Sequence, residues 1–368
     1  MPQSDPQIHE PADSDRRGRP VHAATLITAI PALLGFVPES SLIVLTFRTD
    51  NTIIATMRYD LLLRVDGRPS TELRATITGI GDLCRRYGAA AAVAVIVDDR
   101  YRLASPQYRT VLTLCDRAFR TCGGLAAGLV ATAIADGQRW SAGHTGGDTA
   151  RPSPVRLPPS GDGLVGDPRT CPTAVREAVT TGRRVLGHRE EMTTMLDPVD
   201  CGCPRCLSVP DAGGDSAAAL RLVIAKLEPG GRRHRPADID CTEAGALAAA
   251  LTDLTVRDAL LALAVTDLRD EAEILWRALA RRLRGSARAS AASLLAHLHY
   301  IAGEGGYAAV ALDCALAADP DWSFAMLLSA ALHSGAHPSM LWQIVPHSYR
   351  IADSLGIDLP PPTRARAG

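Results

Sequence analysis

AIPALLGFVPESSLIVLTF, residues 29–47, contains the end of a helix, a turn and a strand. The apolar helix is predicted to end at Gly35, and residues 38–41 are predicted to form the turn. Residues 42–47 are a short, almost wholly apolar run. Such a run predicts a strand that is covered on both faces, as at the centre of a parallel or mixed sheet.

Strands and helices alternate through the rest of the N-terminal half. Strands are predicted at 51–57, 89–97 and 125–135, with a hairpin arm at 137–143, and helices at 71–88 and 106–121. The order is helix, strand, strand, helix, strand, helix, strand, strand. It predicts an α/β fold in which helices cover a mixed sheet.

From Ser216 onward the sequence is rich in Ala and Leu, with Gly and Pro only at joints. This composition predicts an all-α C-terminal domain of closely packed helices. Helices are predicted at 292–305, 307–319 and 322–335. ALDCALAADP, residues 311–320, is similar to the end of a tetratricopeptide unit, so we expect a tetratricopeptide-like hairpin there.

Changes in composition predict six segments along the chain. They are a disordered tail (1–20), an α/β domain (21–145), a flexible insert (146–168), short helices with a cysteine-containing loop (169–214), a helical domain (215–350) and a C-terminal tail (351–368).

The composition is that of a soluble globular protein, with 46% hydrophobic and 21% charged residues. The formal net charge of −1 argues against nucleic acid or an anionic membrane as a partner. No run reaches about 18 apolar residues, the length that spans a bilayer. The nine cysteines, an odd number, favour reduced thiols and a cytoplasmic location over a disulfide framework.

Three cysteines form the most specific chemical motif of the chain. Cys201, Cys203 and Cys206 have C-x-C-x-x-C spacing, and thiolates at this spacing can converge on one tetrahedral ion. Zinc needs a fourth ligand, for which Cys241, His234 and His188 are candidates. The alternative is a loop of free or redox-active thiols, and in that case no cofactor is expected.

Two pairs of residues lie near predicted strand ends, where open α/β sheets bind ligands. Arg58 and Asp60 follow the strand at 51–57. An Arg beside an Asp would clamp a carboxylate or orient a substrate, or the two would form an ion pair that holds the loop after the strand. Together with Arg139 and Trp140, they predict a polar pocket at the edge of the sheet.

Four further polar residues are candidates for ligand binding. Glu39 and Ser40 supply an acid and a hydroxyl near the sheet edge, or belong to a turn whose hydroxyls satisfy backbone groups. Arg189 and Glu190 open a predicted helix at 188–196, where they serve in acid–base chemistry or only complement the helix dipole. The P-loop, dinucleotide-binding and H-E-x-x-H motifs are absent from the sequence.

Five separated segments carry a family resemblance: LLGFVPESSLIVL (33–45), RYD (58–60), RW (139–140), AVREAVTTGRRVLGHREEM (174–192) and ALAADPDWSFAMLLSAALHSGAHP (315–338). They resemble the actinobacterial domain-of-unknown-function family 4192. That resemblance implies no known reaction, substrate or cofactor. The family usually has a second Trp after Trp140, where this chain has Ser141.

These observations leave three hypotheses open. In the first, the protein is a non-catalytic scaffold or interaction module that binds a protein partner through its helical domain. In the second, it is an enzyme of unknown reaction with a pocket near Arg58, Asp60, Arg139 and Trp140. In the third, the cysteine motif makes it a thiol- or zinc-responsive protein.

Overall fold

The computed structural model describes residues 20–145, 153–199, 214–227 and 237–363. The chain divides into two units, Met1–Gly187 and His188–Gly368, called here the α/β unit and the helical unit. The division falls inside the predicted segment 169–214, and it assigns the two short helices of that segment to different units.

The α/β unit has strands β1 (Val21–His22), β2 (Ser41–Phe47), β3 (Ile53–Asp60), β4 (Ala91–Val97), β5 (Leu125–Ala131), β6 (Arg139–Thr145), β7 (Val155–Arg156) and β8 (Asp162–Leu164). Its helices are α1 (Ala23–Leu34), α2 (Thr71–Arg86), α3 (Pro106–Phe119) and α4 (Pro172–Thr181), with a 3-10 turn at Arg120–Cys122. The two short strands β7 and β8 fall within the range for which the sequence predicts a flexible insert.

A six-stranded mixed sheet forms the centre of the α/β unit, with the strand order β3-β2-β4-β5-β6-β8. Only the β4–β5 pair of this sheet is parallel, and the other neighbouring strands are antiparallel. β2 lies between β3 and β4, and all seven of its residues are buried. The prediction that residues 42–47 form a strand covered on both faces is therefore confirmed.

Helices cover both faces of the sheet. Side chains alternate along β2, so its apolar residues point to both faces and each face needs a cover. Ile43 and Leu45 pack in one apolar cluster with α1, while Leu42 and Val44 pack in the other with α2 and α3. α1 ends at Gly35, whose φ of 88° lies in the left-handed region, and its N–H donates to the Pro31 carbonyl oxygen at 2.7 Å. Glycine is favoured there because other residues are strained at that φ.

β3, β4 and β5 run in the same direction, with α2 and α3 as the connections between them. Register pairs Ser41 with both Asp60 and Val97, and Ala131 with Trp140. β3, β4 and β5 therefore end at one edge of the sheet, where β2 and β6 begin. We call this edge the carboxyl edge.

The described helices of the helical unit are α5 (Arg189–Thr194), α6 (Ser216–Leu227), α7 (Cys241–Thr252), α8 (Leu254–Leu260), α9 (Arg269–Arg282), α10 (Gly285–Ile301), α11 (Gly305–Ala318), α12 (Ser323–His333) and α13 (Val345–Ser354). Two 3-10 helices lie at Leu261–Val265 and Pro338–Gln343. The prediction of helices in this half is confirmed for the residues that the structure describes, while the tetratricopeptide-like hairpin stays a prediction.

α10 is the central helix of this unit, and it contacts α7, α9, α11 and α12. Every residue from Ala289 to Ile301 is buried, and many of them are Ala or Ser. Small side chains let the surrounding helices approach closely. Thr363, in the predicted C-terminal tail, donates its N–H to the Val265 carbonyl oxygen at 2.9 Å.

None of the helices within the described ranges is both long and apolar enough to cross a membrane.

Candidate functional site

The carboxyl edge brings together several residues that the sequence singles out. Arg58 Nε donates to Ser41 Oγ at 2.8 Å, and Arg58 Nη2 lies 2.6 Å from Asp60 Oδ1. Ser41 Oγ in turn donates to the Glu39 carbonyl oxygen at 2.6 Å. Arg58 and Asp60 thus form the ion pair that was the alternative to a ligand clamp.

Asp98 is the central residue of this edge, and it was not among the predicted site residues. It follows β4 directly, and its side chain is fully buried. Arg100 Nε donates to its two oxygens at 2.8 and 3.0 Å, and the Tyr108 hydroxyl donates to Oδ2 at 2.8 Å. Burial raises the pKa of the Tyr108 phenol, and the hydrogen bond to Asp98 raises it further.

A sequence signal for Asp98 does exist. V-D-D-R at 97–100 places charged residues immediately after an apolar strand of the sheet. The carboxyl ends of parallel strands are where open α/β sheets place ligand-binding and loop-holding groups. The partner Tyr108 lies on α3, and the sequence alone does not show that its hydroxyl returns to this strand end.

The Asp98 network joins three loops of the carboxyl edge. Arg100 Nη2 donates to the Leu61 carbonyl oxygen at 2.9 Å, and the Leu61 N–H donates to the Ser40 carbonyl oxygen at 2.8 Å. Ser40 Oγ also lies 3.4 Å from Asp98 Oδ1. The segment before β2 and the segments after β3 and β4 are therefore held together by polar contacts.

Ser40 has an unusual backbone conformation, with a φ of 41°. Left-handed φ values are uncommon for residues other than glycine and cost conformational energy. Ser40 is exposed as a residue, and its hydroxyl lies beside the buried Asp98 carboxylate. The observed contacts of Ser40 with Leu61 and Asp98 offset the cost of this conformation.

The charged groups around Asp98 disfavour an anionic ligand. They include the carboxylates of Glu39, Asp60, Asp98 and Asp99 and the guanidinium groups of Arg58 and Arg100. Each of these arginines is already paired with a carboxylate of the chain. An incoming anion at either arginine would have to displace an internal carboxylate.

Arg139 and Trp140 do not join Arg58 and Asp60 in one pocket, which corrects the predicted grouping. They lie on β6, four strand positions from β3 along the sheet, or about 19 Å at the usual strand spacing. Arg139 is 73% exposed and lies 3.7 Å from Asp162. Trp140 is buried, and the absence of a side chain at Gly163 leaves room for its indole ring.

Arg189 and Glu190 lie on α5, in the helical unit. Arg189 Nη2 forms an ion pair with Asp313 Oδ2 at 3.1 Å, which joins α5 to α11, and Glu190 is exposed. The next residue, Glu191, accepts a hydrogen bond from the His188 N–H at 3.2 Å and so completes a capping box. These residues therefore stabilise a helix start and a helix–helix contact.

The predicted zinc ligands Cys201, Cys203 and Cys206 lie outside the described residues. The fourth candidate ligand, Cys241, is the first residue of α7. Its sulfur lies 4.0 Å from Arg282 Nη2. Within the described ranges, no group of three His, Cys, Asp or Glu side chains is placed to hold a metal ion. Zinc binding by the cysteine motif stays a prediction.

The outer face of α12 is a second candidate site, of a different kind. The helix SFAMLLSAALH carries no acidic residue, Lys or Arg, and buries Phe324, Ala325 and Leu328 on its inner side. On the other side Met326 is 45% exposed and Leu327 is 69% exposed. Large apolar side chains of a helix normally face the core, so the exposed Met326 and Leu327 on α12 require an explanation.

These features define a class of protein with a mixed-sheet α/β unit, polar contacts that hold the loops at its carboxyl edge, and a helical unit with an exposed apolar face. A family model described as a domain of unknown function (DUF4192) matches residues 24–339 of the 368. The chain therefore belongs to this family, which confirms the resemblance found in the sequence. No curated protein and no solved structure matches the chain.

Proposed function

We propose that this protein is a non-catalytic interaction module whose helical unit binds a protein partner through the outer face of α12. The observation that carries the proposal is the exposed apolar surface of Met326 and Leu327 on a helix without an acidic residue, Lys or Arg. Contiguous exposed apolar surface commonly marks a protein–protein interaction site.

The exposed residues of α12 have the spacing of a helix-binding stripe. Ser323, Met326, Leu327 and Ala330 are exposed and follow the positions i, i+3, i+4 and i+7, which share one face of a helix. Met340, in the 3-10 helix that follows, is 43% exposed. Methionine side chains adapt their shape readily, which suits a binding surface.

The chemistry of this face indicates the occupant. Because α12 has no acidic residue, Lys or Arg, a charged partner surface would lose its hydration without gaining an ion pair. An amphipathic helix of another protein, with its apolar side against α12, fits best. The tetratricopeptide-like pattern at 311–320, which covers the end of α11, agrees with a helical unit that presents its helices to a partner.

The carboxyl edge supports the same proposal. Arg58 forms an ion pair with Asp60, and Arg100 forms one with Asp98. Arg100 also donates to the Leu61 carbonyl oxygen, so these contacts hold loops together. That arrangement supports a structural role for the charged groups there. The enzyme hypothesis also needed Arg139 and Trp140 at the same place, and these residues lie on β6.

The test compares two exposed leucines of the helical unit. Leu327→Glu places a charge on the outer face of α12, while Leu254→Glu is the matched control, since Leu254 is 56% exposed at the start of α8. The partner is identified by affinity purification of the tagged full chain from its own host, purified, and titrated against each variant. We expect Leu327→Glu to weaken binding at least tenfold and Leu254→Glu to change it less than twofold.

The proposal would be overturned if no purified partner lost affinity on Leu327→Glu, or if both variants lost it equally. Light scattering of the purified chain tests the alternative that a second copy of this chain covers α12. A dimer that Leu327→Glu dissociates would show that a second copy, rather than another protein, covers α12.

Zinc binding at Cys201, Cys203 and Cys206 is a separate proposal that rests on their spacing alone. Metal analysis of protein purified without chelator tests it. One equivalent of zinc that is lost on Cys203→Ser supports the site, and less than a tenth of an equivalent rejects it.

A further inference from the structure

A groove of about 490 Å³ runs between α2 and α3 on the outer surface of the α/β unit. Its rim carries Arg74 and Arg85 from α2 and Arg117 from α3. Its floor includes Ile77 and Leu114. The groove lies in a different unit from α12, so what it binds goes beyond the proposed function.

Close helix packing explains why the groove has a definite floor. Gly81 of α2 is buried against the backbone of Ala118 in α3, where a β-carbon would not fit. The two helices therefore touch at this point. The groove lies above this contact, and its walls are formed by side chains from both helices.

Two of the three arginines have no carboxylate partner among the described residues. Arg85 Nη2 lies 3.1 Å from Asp82 Oδ1, so its charge is already paired. Arg74 donates only to the Pro69 carbonyl oxygen, at 3.3 Å, and no ion pair involves Arg117 within the described ranges. The groove thus has two guanidinium groups available to an anionic partner, one on each helix.

The length of the groove indicates the size of the partner. Its lining residues on α2 extend from Arg74 to Arg85, eleven positions or about 16 Å at 1.5 Å per residue. An extended peptide covers this length with about five residues, at 3.3 Å each. A single small anion would reach only one end of the groove.

We propose that the groove between α2 and α3 binds a short acidic segment of a protein partner in an extended conformation. Carboxylates of that segment pair with Arg74 and Arg117, and apolar side chains between them contact Ile77 and Leu114. The forked guanidinium group binds a carboxylate through two hydrogen bonds. Asp82 on the rim and the formal net charge of −1 make nucleic acid a poorer fit than a peptide.

The experiment uses the full chain at low ionic strength, with fluorescence anisotropy of a fluorescein-labelled eight-residue peptide of alternating glutamate and leucine as the readout. The test variant is Arg74→Gln combined with Arg117→Gln. The matched control is Arg109→Gln, an exposed arginine of α3 that does not line the groove. A labelled single-stranded RNA of similar charge is titrated in parallel, and circular dichroism checks that each variant is folded.

We expect the double variant to weaken peptide binding about tenfold and the control to change it less than twofold, since an exposed charge pair contributes modestly. Binding should also weaken as salt is added. Three results would each overturn the proposal: no binding of the peptide to the unmodified chain, an equal loss in Arg109→Gln, or tighter binding of the RNA than of the peptide.

Discussion

The Nζ atom of Lys226 lies 2.8 Å from Oε1 of Glu243, and this contact joins α6 to α7. Lys226 Nζ also donates to the Asp238 carbonyl oxygen at 2.7 Å, and its side chain is only 3% exposed. It is the single lysine of the chain, beside 38 arginines. A compact ammonium group is held where the larger planar guanidinium group would need more space and more acceptors.

The burial of Lys226 predicts that its amine is unreactive in the folded protein. We expect an amine-reactive ester at pH 8 to leave Lys226 unmodified in buffer and to modify it in concentrated urea, where the helices no longer shield it. Peptide mass spectrometry measures the modified fraction. Rapid modification of Lys226 without urea would contradict the contact with Glu243.

The Asp98 network predicts a difference between two neighbouring aspartates. Asp98→Asn should lower the free energy of unfolding by about 2 kcal/mol, because the amide removes the negative charge that Arg100 and Tyr108 contact. Asp99 is exposed, so Asp99→Asn should change the free energy of unfolding by less than about 0.5 kcal/mol. Urea titration followed by circular dichroism measures both, and equal effects would contradict a special role for Asp98.

The contact between α2 and α3 predicts opposite effects of the same substitution two positions apart. Gly81→Ala would force a methyl group against the Ala118 backbone and should destabilise the protein by about 1–3 kcal/mol. A β-carbon at Gly79 meets no atom within 4 Å, so Gly79→Ala should stabilise it by up to about 1 kcal/mol, since alanine favours a helix. Thermal unfolding of the two variants checks the sign of each change.

His297 predicts how stability depends on pH. Its side chain is fully buried near the Phe324 ring, and this burial lowers its pKa from 6.5 to about 4. The unfolded state therefore takes up a proton at higher pH than the folded state, so stability should fall as the pH drops from 6.5 to 4. At 1.36 kcal/mol for each pH unit, the loss is about 3 kcal/mol.

Urea titrations between pH 4 and pH 7 measure this loss. Because carboxylates and other histidines also titrate there, the test is a comparison with His297→Leu, in which the slope of stability against pH should be shallower. His333→Leu, an exposed histidine on α12, serves as the control and should keep the slope of the unmodified chain. Parallel slopes for all three proteins would show that His297 does not titrate as described.

The elements of the fold were largely predictable because their signals are local. The apolar run at 42–47 predicted the buried strand β2, and Gly35 marked the end of α1. The strand order was not predictable, since β2 pairs with β4 across the whole of α2. Pairing between distant segments depends on packing, which no local pattern of residues records.

The candidate site was predicted only where its members are close in sequence. Arg58 and Asp60 are two positions apart and do meet. Trp140 was grouped with them because it too was expected at the edge of the sheet, yet the strand order places it on a distant strand. Asp98 and Tyr108 meet because α3 packs on β4, and that contact appears only in three dimensions.

Trp140, packed against Gly163, is the single tryptophan of the α/β unit, while the other three, Trp276, Trp322 and Trp342, belong to the helical unit. Its indole emission is therefore an intrinsic optical signal for one half of the molecule. Replacing it with phenylalanine would leave a spectrum that comes from the other half alone. The difference between the two spectra during denaturation would show whether the halves melt together or in sequence.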